Sequence, residues 1–183
     1  LSFDPDWEEQ LRKDVSERGI LSHATGIDFW AYTRGLFDGM PPFAVGRIAT
    51  ESWLLYRARL MKADVIDSTQ VVASIHQNHD HGHHIGGAEG LGTGVEAQRN
   101  REMVGGKQYF FTIRDRTHVL TPQRLKRSLD FWKVWRGLRT APVIHPDLPL
   151  PLNLVIKGLN GSIDIFRDLA IKVRNARSIV TRA

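Results

Sequence analysis

Five histidines fall within nine residues: His76, His79, His81, His83 and His84, with Asp80 among them. Imidazole is the commonest metal ligand and titrates near neutral pH. Several imidazoles delivered together at the end of a strand can share one divalent ion. The run Val71 to Ile75 has the β-branched, apolar character of such a strand. Residues 77–94 then contain six glycines, Gly82, Gly86, Gly87, Gly90, Gly92 and Gly94, and read as a long loop. Loops of that length inside a domain are commonly functional. The same side chains also have plain structural uses. His76 can be a core histidine bonded to backbone, and His81, His83 and His84 can be a solvated loop.

Two families share features with this stretch. His79-Asp80-His81-Gly82-His83-His84-Ile85-Gly86-Gly87 resembles the H-x-H-x-D-H-x-G-G signature of metallo-β-lactamase-like hydrolases, which activate a water on one or two zinc ions. His83 occupies the acidic position of that signature. That fold also needs a run of strands ahead of the motif, where this chain has two helical patterns in its first 62 residues.

A longer resemblance covers roughly residues 3–125 and rests on four segments in order. Thr25-Gly26-Ile27-Asp28-Phe29-Trp30 leads to Arg34-Gly35-Leu36-Phe37. Pro41-Pro42-Phe43-Ala44-Val45-Gly46-Arg47 leads to Glu51-Ser52-Trp53-Leu54-Leu55-Tyr56. Val65-Ile66-Asp67-Ser68-Thr69 leads to Ile75-His76-Gln77-Asn78-His79-Asp80. Last come Glu96-Ala97, Asn100, Gly105-Gly106 and Thr117-His118-Val119-Leu120. Together they resemble the C-terminal half of a glycosyltransferase-like family with the GT-A, nucleotide-diphospho-sugar transferase fold. Glu51 and Ser52 stand where that family usually has Asp-Asn.

The resemblance implies an α/β chain: a partial GT-A-like mixed sheet with flanking helices and a helical C-terminal extension, the N-terminal nucleotide-binding half being absent. It implies transfer of a sugar from a nucleotide-diphospho-sugar to an acceptor the sequence does not name, with this piece inactive by itself. A divalent ion, Mn²⁺ or Mg²⁺, would neutralise the diphosphate leaving group. The family's ligand histidine corresponds to His76 or His79, with Asp80 beside them. Its catalytic base corresponds to Glu51, which follows Thr50 and would lie in the first turn of a helix, where the helix dipole favours the ionised carboxylate. Asp28, Arg47 and Trp53 would contact acceptor or phosphate. Trp53, like Trp132 and Trp135, equally suits a core position. A non-catalytic binding module with the same fold is a third possibility.

The elements that must position these residues follow from periodicity and punctuation. Asp6 with Glu9 reads as a capping box for a helix bearing Trp7, Leu11 and Val15 and ending near Gly19. Capping also accounts for Asp4-Pro5-Asp6 better than a metal-binding D-x-D does. Strands are expected at Ile27 to Thr33, Val65-Ile66, Val71 to Ile75 and Gln108 to Ile113, and helices at Glu51 to about Lys62 and Val95 to Val104. The Glu51 helix is expected to set Trp53 and Leu54 against the Val71 to Ile75 strand. Thr121-Pro122 has the N-cap and N1 chemistry of a further helix. The expected organisation is a domain at 1–140, a proline-rich linker at 141–152 and an amphipathic helix within 153–183, at about Ser162 to Ile179.

Composition sets the outer bounds. With 183 residues, 42% hydrophobic and 25% charged, the chain is of ordinary globular character. It has no cysteine, which excludes disulfides and thiolate metal sites and suits a cytoplasmic setting. The net charge of +5 is uneven, with basic clusters from Arg124 to Arg139 and from Lys172 to Arg182. Those clusters suit solvated helix faces or peripheral contact with an anionic membrane, and no nucleic-acid motif accompanies them.

Overall fold

The structure is a computed structural model, and it describes residues 4–21, 23–76, 92–129, 131–156 and 158. The chain divides into two compact units, Leu1–Ser128 and Leu129–Ala183. The first is a mixed α/β unit whose sheet has three strands.

Helix α1, Trp7–Arg18, opens the first unit and buries none of its residues. Its solvent face carries Glu8–Arg12 and Asp14–Arg18 ion pairs one turn apart. Asp6 occupies the N-cap, but its side chain makes no capping bond there. Instead the Asp4 carbonyl accepts from the Trp7 amide at 2.9 Å, so a backbone turn starts the helix.

Helix α2, Thr50–Leu60, buries Thr50, Trp53, Leu55 and Ala58. Helix α3, Val95–Val104, buries Ala97, Asn100 and Val104, the i, i+3, i+7 face of an amphipathic helix. Phe43, Ala49, Trp53 and Val104 form the core where α2 and α3 meet the 37–49 loop, with Phe37, Leu54, Tyr56 and Tyr109 packed around them. Edge-to-face ring pairs, Phe43 with Trp53 at 5.7 Å and Tyr56 with Tyr109 at 5.0 Å, fill the space in the geometry that the aromatic quadrupole favours.

The sheet runs β1–β2–β3. Strand β1, Ile66–Asp67, pairs parallel with β2, His118–Leu120, in the register Ile66 to His118. The parallel partners need a long crossover, and α3 lies within it. Strand β3, Leu125–Arg127, returns antiparallel to β2, with Leu120 opposite Leu125. The Thr117 hydroxyl accepts from the Val65 amide at 2.9 Å and the Val65 carbonyl accepts from the Thr117 amide at 2.7 Å, which extends the parallel pairing by a side chain.

Three expected strands are not strands. Residues 27–33 and 71–76 join no ladder, and 107–115 forms two 3₁₀ turns, Lys107–Tyr109 and Ile113–Asp115. The second turn is held by reciprocal bonds between Thr112 and the buried Asp115. Val71 and Val72 both donate to the Ser68 carbonyl at 2.9 Å, which curls the chain. Val71 and Ile75 are exposed, and Trp53 packs on Phe37 and Phe43. Aromatic and β-branched residues mark packing surfaces as well as strands, and here the packing use wins.

Thr121-Pro122 does not start a helix. Its hydroxyl accepts from the Arg124 amide at 3.1 Å and donates to the Arg124 carbonyl at 2.8 Å, which makes it the turn of the β2–β3 hairpin.

In the second unit, helix α4 spans Phe131–Ile144 and contains Pro142, and residues 150–156 are again helical. The proline-rich stretch is therefore helical at both ends, and the unit boundary falls at Leu129, ahead of it. The helix expected at about Ser162 to Ile179 lies outside the described residues.

Candidate functional site

Glu51 sits in the first turn of α2, half-buried. Burial raises the proton affinity of its carboxyl above the ordinary glutamate value, its own backbone amide works in the opposite direction, and the negative charge of Asp28 raises it further. Asp28 in turn holds His76, with Oδ2 at 3.2 Å from the ring nitrogen Nδ1. Asp28 thus acts on two groups of the first unit, on a helix-terminal glutamate through its charge and on an imidazole by direct contact. A half-buried carboxyl whose proton affinity is raised in this way can exchange a proton with a neighbouring hydroxyl.

The entry to α2 is tightly determined. Ala49, its N-cap, has the left-handed conformation at φ 86°, which an L residue with a Cβ adopts only at a cost of about 1–2 kcal/mol. Asn100 holds the turn on either side of it. Its Oδ1 accepts from the Ala44 amide at 3.0 Å, and its Nδ2 donates to the carbonyls of Ala44 at 3.0 Å and Ile48 at 3.2 Å. Asn100 has no exposed surface, so these bonds are made in a dry environment where leaving them unmade is expensive. The clamp fixes where α2 begins and hence where Glu51 points.

Arg47 is committed elsewhere. Its Nε lies 2.7 Å from Glu96 Oε2 on α3, and NH1 donates to the Gly46 carbonyl at 3.2 Å. It braces the same turn from outside. Trp53 is only 8% exposed and packs in the aromatic core, so it offers little face to a substrate. Of the residues singled out from sequence, the structure sets Asp28 against His76 and lets the charge of Asp28 reach Glu51, and it places Arg47 and Trp53 in supporting positions. His79 and Asp80 lie outside the described residues, as does the rest of the histidine-rich segment. Among the described residues, no group of three or more His, Cys, Asp or Glu side chains is arranged to hold a metal ion.

The structural role of Asn100 and the strained Ala49 were not foreseen. Asn100 had one readable sign: a polar residue at the centre of the Ala97, Asn100, Val104 stripe, where an apolar one belongs. Ala49 had none, because a left-handed alanine has no mark in sequence.

A second polar group lies at the β1–β2 junction. His118 Nδ1 is 2.8 Å from Thr117 Oγ1 and 3.3 Å from Asp64 Oδ1. Both neighbours meet the same ring nitrogen, so the group is not a relay of the Thr–His–Asp kind, in which the two partners meet opposite nitrogens. Its evident work is to pin the parallel strands.

Compared with protein-family models, with curated proteins and with solved structures, the chain matches none.

Proposed function

We propose that this chain is the acceptor-side half of a glycosyltransferase that uses a nucleotide-diphospho-sugar, with Glu51 as the base. The observation that supports the reading is the link Asp28 makes to two of the candidates: its carboxylate lies 3.2 Å from the His76 ring, and its charge raises the proton affinity of Glu51 at the start of α2. Asp28 stands 23 positions before Glu51 and 48 before His76, so both relations arise only through the fold.

The step is a displacement at the anomeric carbon. Glu51 takes the proton of an acceptor hydroxyl as its oxygen forms a bond to that carbon, while the bond from carbon to the diphosphate breaks and its electron pair leaves with the nucleotide diphosphate. A raised carboxyl proton affinity serves this chemistry, because the base must hold a proton that a weak acid gives up near neutral pH. Asp28 works through Glu51 and His76 as a positioning residue. Mn²⁺ or Mg²⁺ on the diphosphate belongs to the same proposal, and would have to be met by His79 and Asp80 alongside His76.

The hydrolase alternative is disfavoured by the first 75 residues. Their described part is helix, turn and loop, with strand only at Ile66–Asp67, whereas a metallo-β-lactamase-like motif needs sheet ahead of it.

The test is nucleotide release from a panel of nucleotide sugars by the complete protein. Glu51→Gln should lower kcat by two orders of magnitude or more, within the usual range for a general base, and leave donor affinity within about threefold. Unchanged turnover in Glu51→Gln would remove the base assignment. His83→Ala and His84→Ala should leave turnover intact; loss of metal binding in His84→Ala with a silent Glu51→Gln would instead point to the hydrolase.

A further inference from the structure

The net charge of this chain is confined to one of its two units. Residues 1–128 hold sixteen Lys and Arg against sixteen Asp and Glu, and residues 129–183 hold nine against four. The whole net charge of +5 therefore resides in the second unit. That unit also turns apolar side chains to solvent. On α4, Val134 and Leu138 are one turn apart and 62% and 53% exposed, while Thr140 and Ile144 on the other side are buried. On the helical residues 150–156, Leu150 and Leu154 are 71% and 59% exposed and Ile156 is buried.

A helix in water ordinarily turns its apolar stripe inward. Here each of the two helical segments keeps one apolar side in and presents another outward. Lys133, Arg136 and Arg139 lie half-buried on α4 between the two, where long aliphatic stems can run along apolar surface and carry their charges to its margin. None of the described helices is long and apolar enough to cross a membrane. Outward Val134 and Leu138 on the helix that carries Lys133, Arg136 and Arg139, where no described helix can span a bilayer, is the chemistry of a segment that lies in the headgroup region. The positive excess selects anionic lipid, where each Lys or Arg near the surface adds attraction that salt weakens. A nucleic acid would use the charge but not the exposed leucines, and a second copy of the chain would bring five positive charges against five.

We propose that the helical residues 131–156 dock the protein on an anionic membrane surface, with Val134 and Leu138 among the side chains that enter the lipid. This does not rest on the transferase reading and would stand if that reading failed.

The experiment is flotation of the full chain with vesicles of phosphatidylcholine alone and of phosphatidylcholine with about a third phosphatidylglycerol, at low and high salt. The expected result is binding to the anionic vesicles at least tenfold tighter than to the neutral ones, weakened by salt. The Val134→Glu/Leu138→Glu variant should lose at least tenfold of that binding. Both positions are solvent-exposed, so the variant should keep its fold, which circular dichroism checks. Leu138→Trp, which enlarges the inserted surface, should bind more tightly and blue-shift its fluorescence on adding anionic vesicles.

Absence of binding to anionic vesicles would overturn the proposal. So would binding that the double glutamate variant leaves unchanged, or equal binding to neutral vesicles. A concentration-dependent dimer in solution that the glutamates dissolve, without vesicle binding, would assign the face to a second copy and overturn it as well.

Discussion

Asn100 bonds both backbone groups of Ala44, accepting from its amide and donating to its carbonyl, each at 3.0 Å. A side-chain amide has the same donor and acceptor arrangement as a peptide, so α3 supplies through Asn100 the neighbour that a strand would have given this turn. The turn leads to α2, and α2 carries Glu51. The position of the candidate base is therefore set from a helix almost fifty residues further along.

Asn100→Ala should destabilise the first unit by about 2 kcal/mol, because it removes the side-chain partner of the half-buried Ala44 amide and of the Ala44 and Ile48 carbonyls. Asn100→Asp should cost at least as much, since a carboxylate cannot donate to either carbonyl. The denaturant midpoint, with an unchanged m value, measures both. A loss under 1 kcal/mol for Asn100→Ala would mean that water replaces the amide and that the clamp does not fix the turn.

Ala49 offers a test of the strain at the same turn. In an ordinary buried site Ala→Gly costs about 1 kcal/mol from the lost methyl and the freer unfolded chain. At φ 86° glycine also releases left-handed strain of similar size. Ala49→Gly should therefore be nearly neutral, whereas Ala49→Val, branched at Cβ and 4% exposed at the parent residue, should cost about 3 kcal/mol. A Gly variant that loses 1 kcal/mol or more in thermal or denaturant unfolding would contradict the strain.

What could be read in the sequence was helices α2 and α3; the sheet was not. Helices α2 and α3 begin where Thr50 and Gly94-Val95 announce them, and Gly105 closes α3 in the left-handed conformation that glycine adopts freely. Thr121-Pro122 misled because its chemistry is ambiguous: a Thr hydroxyl that accepts an amide further on, followed by a proline at φ near −65°, serves a helix start and a β-turn equally. The hairpin was settled by the ladder with His118–Leu120, a partner that local sequence does not reveal. Residues 27–33 and 71–76 failed as strands for a related reason. Their apolar content was legible, but the partners that would make them strands are not present among the described residues. Asp28 and His76 were each readable as candidates; their 3.2 Å contact depends on how these two segments curl, which no pattern along the chain encodes.

The raised proton affinity of Glu51 has a sign that unfolding can read. The folded state binds the Glu51 proton more tightly than the unfolded state, whose glutamate has its ordinary pKa near 4.5. Between that value and the higher folded one, the native protein holds more protons, so this group's contribution makes stability fall as pH rises through the window. Above it the cost of the buried charge is fully present; below about 4.5 both states are protonated and the cost vanishes. Glu51→Gln should therefore melt higher than the parent at pH 7, and the advantage should shrink on acidification toward pH 4. Parallel thermal melts at the two pH values measure it. A variant that melts lower at pH 7 would mean that the helix N-terminus and the amide bond outweigh burial.

Asp28→Asn separates the causes acting on Glu51. The substitution keeps the shape but removes the charge, so the Glu51 carboxyl should titrate at lower pH than in the parent. It should stay above its ordinary value, because burial is the larger cause and is untouched. Carbon-detected NMR of the carboxyl resonances reads this directly, with Glu51→Gln identifying the signal. Function should follow the same direction. If Glu51 is the base, turnover fails as it becomes protonated, so the acid limb of the kcat profile marks its titration. Asp28→Asn should then move that limb to lower pH by the shift that NMR records, with kcat on the plateau reduced because His76 has lost the carboxylate that holds it. An NMR shift without a matching movement of the acid limb would leave the Asp28–Glu51 coupling intact but take the catalytic proton away from Glu51.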